Sequence, residues 1–191
     1  MGQELPTAQI SLPSKARPEA VYDVLADLTT HLEWGGARQS RDFRLLSLEG
    51  SPGPATVGTT FSSTGTIPMS VRHWEDGSTV TVADRPQVFE FTTEARAGEQ
   101  QAMRARYRHR YEISADAAGS RVTYTLTQLS IAHPMLRMAL PGIRQLTWRM
   151  AIPMFAGRGL LILIAVAEER ALLAARPPSG AAIGSFNTKE I

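Results

Sequence analysis

The stretch QAMRARYRHRYEIS, residues 101–114, has arginine at every second position from Arg104 to Arg110. Successive side chains of a β-strand point to opposite faces of the sheet. The spacing of two therefore predicts a strand with one basic face and one face of tyrosine, histidine and isoleucine. Residues 88–95 and 121–129 alternate in the same way. We expect the charged faces of these strands to meet solvent and the other faces to cover a core.

A period of two extends over most of the chain, from about residue 42 to about residue 129. The connections carry turn-forming residues such as Asp76-Gly77, and short links between strands favour an antiparallel meander. The predicted strands are residues 8–12, 42–48, 59–66, 69–75, 79–84, 88–95, 102–115 and 121–129.

Two helices are predicted, one at each end of this meander. The first begins at Pro18, which suits an initial helical turn, and buries an apolar stripe. The second spans residues 158–176. Prolines interrupt residues 133–157, so short helical pieces are expected there. We predict an α+β protein with one domain at residues 8–176, between an N-terminal tail (1–7) and a flexible C-terminal tail (177–191).

The composition restricts the classes of function. The chain of 191 residues has no cysteine, which excludes disulfides and thiolate metal sites, and its formal net charge is only +2. The four histidines form no HExxH pair, and nucleotide-binding glycine motifs are absent, so no metal or cofactor is expected. The longest apolar run, residues 159–167, is far shorter than the roughly 20 residues of a membrane span. We expect no signal peptide, no transmembrane segment and a cytoplasmic location.

The arginine face offers two interpretations, a nucleic-acid surface or an ordinary solvated face. Glu90 and Glu94 lie on the matching face of the neighbouring strand, where they can pair with the arginines. A nucleic-acid surface often carries basic side chains that no acidic residue neutralises, together with exposed aromatic rings. Here the aromatic residues fall on the face opposite the arginines. We therefore predict a solvated face and no nucleic-acid partner.

The inward face carries phenol and imidazole groups among apolar residues. Buried phenols need hydrogen-bond partners, so these groups either bond locally or converge on a cavity. Apolar walls with a few polar groups are typical of small-molecule sites. The apolar residues around Trp148 are expected near the entrance of such a cavity. The predicted ligand-binding residues are Tyr107, His109, Tyr111, Tyr124, His73, Phe91, Trp148 and Met154.

The stretch ISLPSKARPEAVYDVLADLTTHLEW, residues 10–34, combines a strand, a helix with the pattern P-x-x-V-(aromatic)-x-V-L-x-D, and a tryptophan. The matching positions are Pro18, Val21, Tyr22, Val24, Leu25, Asp27 and Trp34. With the order of elements over residues 8–176, this resembles the START-related helix-grip superfamily (SRPBCC), and within it the polyketide cyclase/dehydrase and lipid transport-like members. The resemblance implies a helix-grip fold, in which a curved antiparallel sheet wraps around a long C-terminal helix and encloses a hydrophobic cavity.

Three functions follow from the resemblance and the residues. The first is a carrier or sensor for a small hydrophobic or amphipathic molecule, such as a lipid or polyketide. The second is a polyketide cyclase/aromatase-like enzyme using the same cavity, with His109 as its candidate acid/base; the resemblance supplies no catalytic motif. The third is a protein-interaction module built on the apolar C-terminal helix. Residues 133–157 form a lid, a homodimer surface or a peripheral membrane contact.

Overall fold

The computed structural model describes residues 5–39, 44–66, 73–97, 103–132 and 141–175. Seven antiparallel strands form one sheet in the order β1-β7-β6-β5-β4-β3-β2. Helix α1 follows β1 along the chain, and helix α2 follows β7. The bounds are β1 (Thr7–Ser14), α1 (Pro18–Ala26), β2 (Leu45–Gly50), β3 (Thr60–Thr66), β4 (His73–Asp84), β5 (Val88–Ala97), β6 (Met103–Asp116), β7 (Gly119–Ala132) and α2 (Pro141–Ala174).

Helix α1 ends in a compact turn that shapes one side of the interior. A 3-10 turn (Leu28–Thr30) and a π-helical turn (Glu33–Ala37) follow the helix. The Thr30 hydroxyl donates to the Val24 carbonyl at 2.6 Å, and His31 Nε2 donates to the Leu25 carbonyl at 2.8 Å. These bonds satisfy carbonyls that the end of a helix leaves free, and they turn the chain toward the sheet.

The core lies between the sheet and the second half of α2. Leu160, Leu163, Val166 and Ala167 of the helix are all buried, as is the inner face of the sheet around Phe89. Because these helical positions follow spacings of three, three and one, one stripe of α2 faces the sheet.

A carboxylate fixes the position of α2 relative to β1. Glu168 Oε1 accepts hydrogen bonds from the Lys15 backbone N–H at 2.6 Å and the Ser14 hydroxyl at 3.2 Å. These contacts hold the last turns of the helix against the edge of the sheet.

The outer face of the sheet carries the cross-strand ion pairs that the sequence predicts. Arg106 pairs with Glu94 at 3.4 Å, and Arg110 pairs with Glu90 at 3.1 Å, across the β5–β6 register. The Arg106 and Glu94 side chains are both more than half exposed. These two predicted cross-strand pairs are therefore present on the face turned away from the core.

The predicted turn at Asp76-Gly77 is wrong, because β4 runs through it without a break. Gly77 pairs with Ser62 on one side and Glu94 on the other, so the ladders of β3 and β5 hold this dipeptide extended. Tight hairpin turns at Asp-Gly need positive φ angles, and Gly77 does not have one. Pairing on both sides overrides the local preference and places Asp76 on the inner face.

The predicted break in the C-terminal helix is also wrong over the part that the structure describes. One helix extends from Pro141 to Ala174 with Pro153 inside it. An interior proline removes one backbone hydrogen bond, which kinks or weakens a helix without necessarily ending it.

Several predictions concern residues outside the described ranges. They are the first part of the N-terminal tail (residues 1–4), the starts of three predicted strands (42–43, 69–72 and 102), the link at Gly98, the first part of the lid or insertion (133–140) and the C-terminal tail (177–191).

Candidate functional site

A cavity of about 250 Å³ lies between the inner face of the sheet, the turns after α1, and α2. Strands β5, β6 and β7 supply aromatic rings to its wall, whereas β3, β4 and β5 also supply hydroxyl and carboxyl groups. Helix α2 covers it with small and aliphatic residues, Ala156, Gly159, Leu160 and Leu163. The cavity therefore has an aromatic side and a more polar side within one apolar enclosure.

The aromatic side is a connected set of rings. His109 stacks on Phe91, with ring centroids 4.6 Å apart and planes at 9°, because these residues are directly paired between β5 and β6. His109 Nδ1 and the Tyr124 hydroxyl form a hydrogen bond of 2.8 Å. Tyr111 lies beside Tyr124, with ring centroids 4.7 Å apart. His109 Nδ1 and the Tyr124 hydroxyl thus satisfy each other within the wall.

Burial keeps this aromatic side uncharged at neutral pH. Desolvation lowers the pKa of His109 to about 4, and it raises the pKa of Tyr111 and of Tyr124 above the usual value for a phenol. Proton transfer is most efficient when the pKa of the catalytic group lies near the working pH. A neutral imidazole with a pKa of about 4 is a weak general base.

The polar side centres on Asp76 in the middle of β4. The Ser63 hydroxyl, from the directly paired residue of β3, donates to Asp76 Oδ1 at 2.6 Å. Burial raises the pKa of Asp76 to about 6, although hydrogen bonds from Ser63 oppose the rise. Next to this pair, the hydroxyls of Ser78 and Thr93 lie 2.8 Å apart. Asp76 is a carboxyl group that titrates close to neutral pH inside the cavity.

The turns after α1 add two more polar rings. His31 is buried, and desolvation lowers its pKa to about 4, so that it is neutral while Nε2 donates to the Leu25 carbonyl. Trp34 stacks obliquely on His31, with ring centroids 4.8 Å apart. Its indole Nε1 is buried and has no hydrogen-bond partner among the described residues. A buried donor without a partner costs about 1–3 kcal/mol.

The structure brings together half of the residues predicted from sequence. Phe91, His109, Tyr111 and Tyr124 all line the cavity. The other four lie elsewhere and are described next.

Tyr107 and Trp148 form a separate aromatic contact. Tyr107 lies on the same strand as His109 but packs on Trp148 of α2, with ring centroids 6.2 Å apart. His73 is exposed at the start of β4, and Met154 is exposed on α2. None of these four side chains is part of the cavity wall.

Sequence patterns did not indicate the polar side. Asp76, Ser63, Ser78, Thr93, His31 and Trp34 line the cavity but were not among the predicted residues. One usable signal existed: Trp74, Asp76, Ser78 and Val80 keep a period of two through the Asp-Gly pair. The contacts of His31 and Trp34 depend on the turns after α1, which have no period.

Neither a metal site nor a membrane span is found in the described part of the chain. No group of three His, Asp or Glu side chains there is arranged to hold a metal ion. Of the helices in the same residues, none is long and apolar enough to cross a membrane.

Comparison with solved structures identifies the fold. A protein from Rhizobium leguminosarum superposes with a TM-score of 0.62 at 13% identity, over 87% of this chain and 96% of that one. Protein CV1439 from Chromobacterium violaceum gives 0.60 at 13%, over 85% and 98%. The protein Ara h 8.0201 gives 0.56 at 14%, over 87% and 99%. Identities this low are informative about the fold alone.

The fold is the helix-grip fold, as predicted: a curved antiparallel sheet of seven strands with a long C-terminal helix. Ara h 8 shares this fold. No family model matches the sequence, and no curated protein matches it.

Proposed function

We propose that this protein binds a small hydrophobic or amphipathic molecule in the cavity between the sheet and α2, as a carrier or sensor. The cavity itself is the observation that supports this function. Small-molecule sites are concave and mostly apolar with a few placed polar groups, and they measure about 300–1,000 Å³. At about 250 Å³ the cavity is slightly smaller than that range. A ligand of one or two rings fits it better than a long acyl chain.

The polar groups of the cavity support binding by a molecule with a polar end. The carboxyl group of Asp76 belongs to the wall, and burial disfavours such a group without a partner. A ligand with apolar rings and one polar end would match both parts of the cavity. Membership of the polyketide cyclase/dehydrase and lipid transport-like family is part of this proposal, and it rests on the N-terminal motif together with the helix-grip fold.

Two experiments test the proposal. Native mass spectrometry before and after organic extraction should reveal a bound small molecule that the extraction removes. Binding of an environment-sensitive naphthalene dye should then weaken about tenfold, or about 1.4 kcal/mol, in Leu163→Phe, because the larger ring occupies part of the cavity. Leu163 is fully buried against the cavity.

Leu161→Phe provides the matched control, since Leu161 is on the same helix but 57% exposed and outside the cavity wall. Its dye affinity should equal that of the wild type. Circular dichroism and thermal unfolding establish that both variants fold. The proposal fails if no extractable ligand is found and the two folded variants bind dye equally well.

A cyclase-like enzyme is the second candidate, and one observation favours it. Burial raises the pKa of Asp76 to about 6, which suits proton transfer near neutral pH better than His109 does. Polyketide-type substrates should then be turned over by the wild type and not by Asp76→Asn. Binding without turnover in both proteins would leave the carrier or sensor function alone.

A further inference from the structure

The residues around Asp76 on β3 and β4 form the most distinctive part of the cavity. On this face the paired residues follow in the order Phe61–Ser78, Ser63–Asp76 and Gly65–Trp74. Along the sheet, the Ser63–Asp76 pair therefore has an aromatic residue in the next pair on each side, Phe61 on one side and Trp74 on the other. Both rings and the carboxyl group line the same cavity.

Gly65 makes room for the indole of Trp74 on the inner face of β3, beside the Ser63–Asp76 pair. A Cβ atom at position 65 would overlap Cζ2, Cε2 and Nε1 of the Trp74 ring, so the ring packs flat against the glycine backbone. The opposite side of an indole packed in this way faces the cavity that Trp74 lines. Tryptophan is the aromatic residue that attracts cations most strongly.

Two further rings approach the same place from the turns after α1. His31 lies 6.1 Å from Phe61 and 4.8 Å from Trp34 between ring centroids. These residues line the cavity together with Trp74. The rings of Phe61, Trp74 and Trp34 therefore line the same cavity as the carboxyl group of Asp76.

The charged and titratable groups around Asp76 allow a ligand to add a positive charge there. The ion pairs among described residues do not include Asp76. Among the described residues of the cavity wall, Arg44 is basic, and it is exposed. His31 and His109 face the same cavity as neutral rings, because burial lowers the pKa of each to about 4. From β5, Phe91 and Thr93 add no charge.

We propose that the ligand carries a protonated amine, which pairs with the Asp76 carboxylate and lies against the ring of Trp74. This inference rests on the proposed function and specifies its ligand as a small aromatic amine. A carboxylate attracts a hydroxyl and an ammonium alike, but only the ammonium also neutralises the buried charge. Aromatic rings beside a carboxylate add a second attraction that a neutral alcohol does not have. Phe91 and the other rings of the cavity would hold the aromatic part.

Three probes of nearly equal shape test the charge: naphthylethylamine, naphthylethanol and naphthylacetate. Their dissociation constants are measured by isothermal titration calorimetry at pH 7.5. We expect the amine to bind at least about tenfold more tightly than the alcohol, since hydrogen bonds to charged groups contribute about 1.5–3 kcal/mol. The acetate should bind most weakly because it brings a second negative charge.

Two variants locate the effect. Asp76→Asn keeps the shape of the side chain and should bind the amine and the alcohol equally. Glu75→Gln removes a carboxylate from the adjacent, exposed position on the other face of β4, and it should keep the full preference for the amine.

The pH dependence gives an independent measurement. Protonation removes the negative charge of Asp76, and burial raises its pKa to about 6. Affinity for the amine should therefore fall about tenfold per pH unit below that value, while affinity for the alcohol should not. His31 and His109 remain neutral down to about pH 4 and do not contribute over this range.

The outcomes separate the two proposals. If the alcohol binds the wild type as tightly as the amine, or if Asp76→Asn retains the preference, the amine inference is overturned and the binding function stands. If none of the three probes binds and Leu163→Phe has no effect on the naphthalene dye, both proposals fail.

Discussion

Replacing Asp76 by asparagine is expected to stabilise the protein at neutral pH. Burial raises the pKa of this carboxyl from 3.8 to about 6. Between these two values the folded chain binds more protons than the unfolded chain, so the free energy of unfolding falls as the pH rises through this window. One pKa unit corresponds to about 1.36 kcal/mol. The whole shift therefore lowers the free energy of unfolding by about 3 kcal/mol above pH 7, relative to its value at low pH. Asparagine retains an oxygen that can accept from Ser63 and carries no charge.

Urea unfolding of the wild type and of Asp76→Asn at pH 7.5, 6 and 5 measures this effect. Taking the difference between the two proteins cancels the titration of groups that they share. From pH 7.5 to pH 5 the wild type should gain about 1.4 kcal/mol relative to the variant. A difference that stays constant with pH would refute the reasoning, because Asp76 would then titrate alike in the folded and unfolded chains.

Three further substitutions test the two faces of the sheet. Gly65→Ala should lower the free energy of unfolding by about 1–3 kcal/mol and alter tryptophan fluorescence, because the added Cβ overlaps the Trp74 ring. In Gly77→Ala the added Cβ has no neighbour within 4 Å, so thermal unfolding should show a smaller loss of stability than in Gly65→Ala. Equal losses in the two variants would contradict the close contact between Gly65 and the Trp74 ring. Arg106→Gln should change stability by less than about 1 kcal/mol in urea, because its pair with Glu94 is exposed; a larger loss would mean that the outer face does more than meet solvent.

The parts of the fold that follow from a local period could be predicted from the sequence. In β6 the side chains from Met103 to Ile113 alternate between the two faces, and one face consists of charged residues only. A strand with this pattern has one arrangement that leaves its arginines in water, so both the element and its orientation follow. The same reasoning predicted that Phe91, His109, Tyr111 and Tyr124 share a face.

The polar side of the cavity depends on contacts that no local period encodes. An Asp-Gly pair by itself favours a turn, and only the pairing of Gly77 with Ser62 and Glu94 keeps it in a strand. Those partners lie 15 and 17 positions away in the sequence. In the same way, Pro153 by itself favours a helix end, although α2 continues through it. Long-range pairing and packing decided both cases against the local preference.

The two sides of the cavity differ in what a ligand would gain from them. On the aromatic side, a polar group that binds His109 competes with the bond between its Nδ1 and the Tyr124 hydroxyl. At Asp76 a ligand cation instead adds a partner to a carboxylate that burial disfavours. A polar group that binds Nδ1 therefore exchanges one bond for another, whereas a cation at Asp76 adds a bond. This difference favours the polar end of a ligand at Asp76 and its rings against Phe91 and His109.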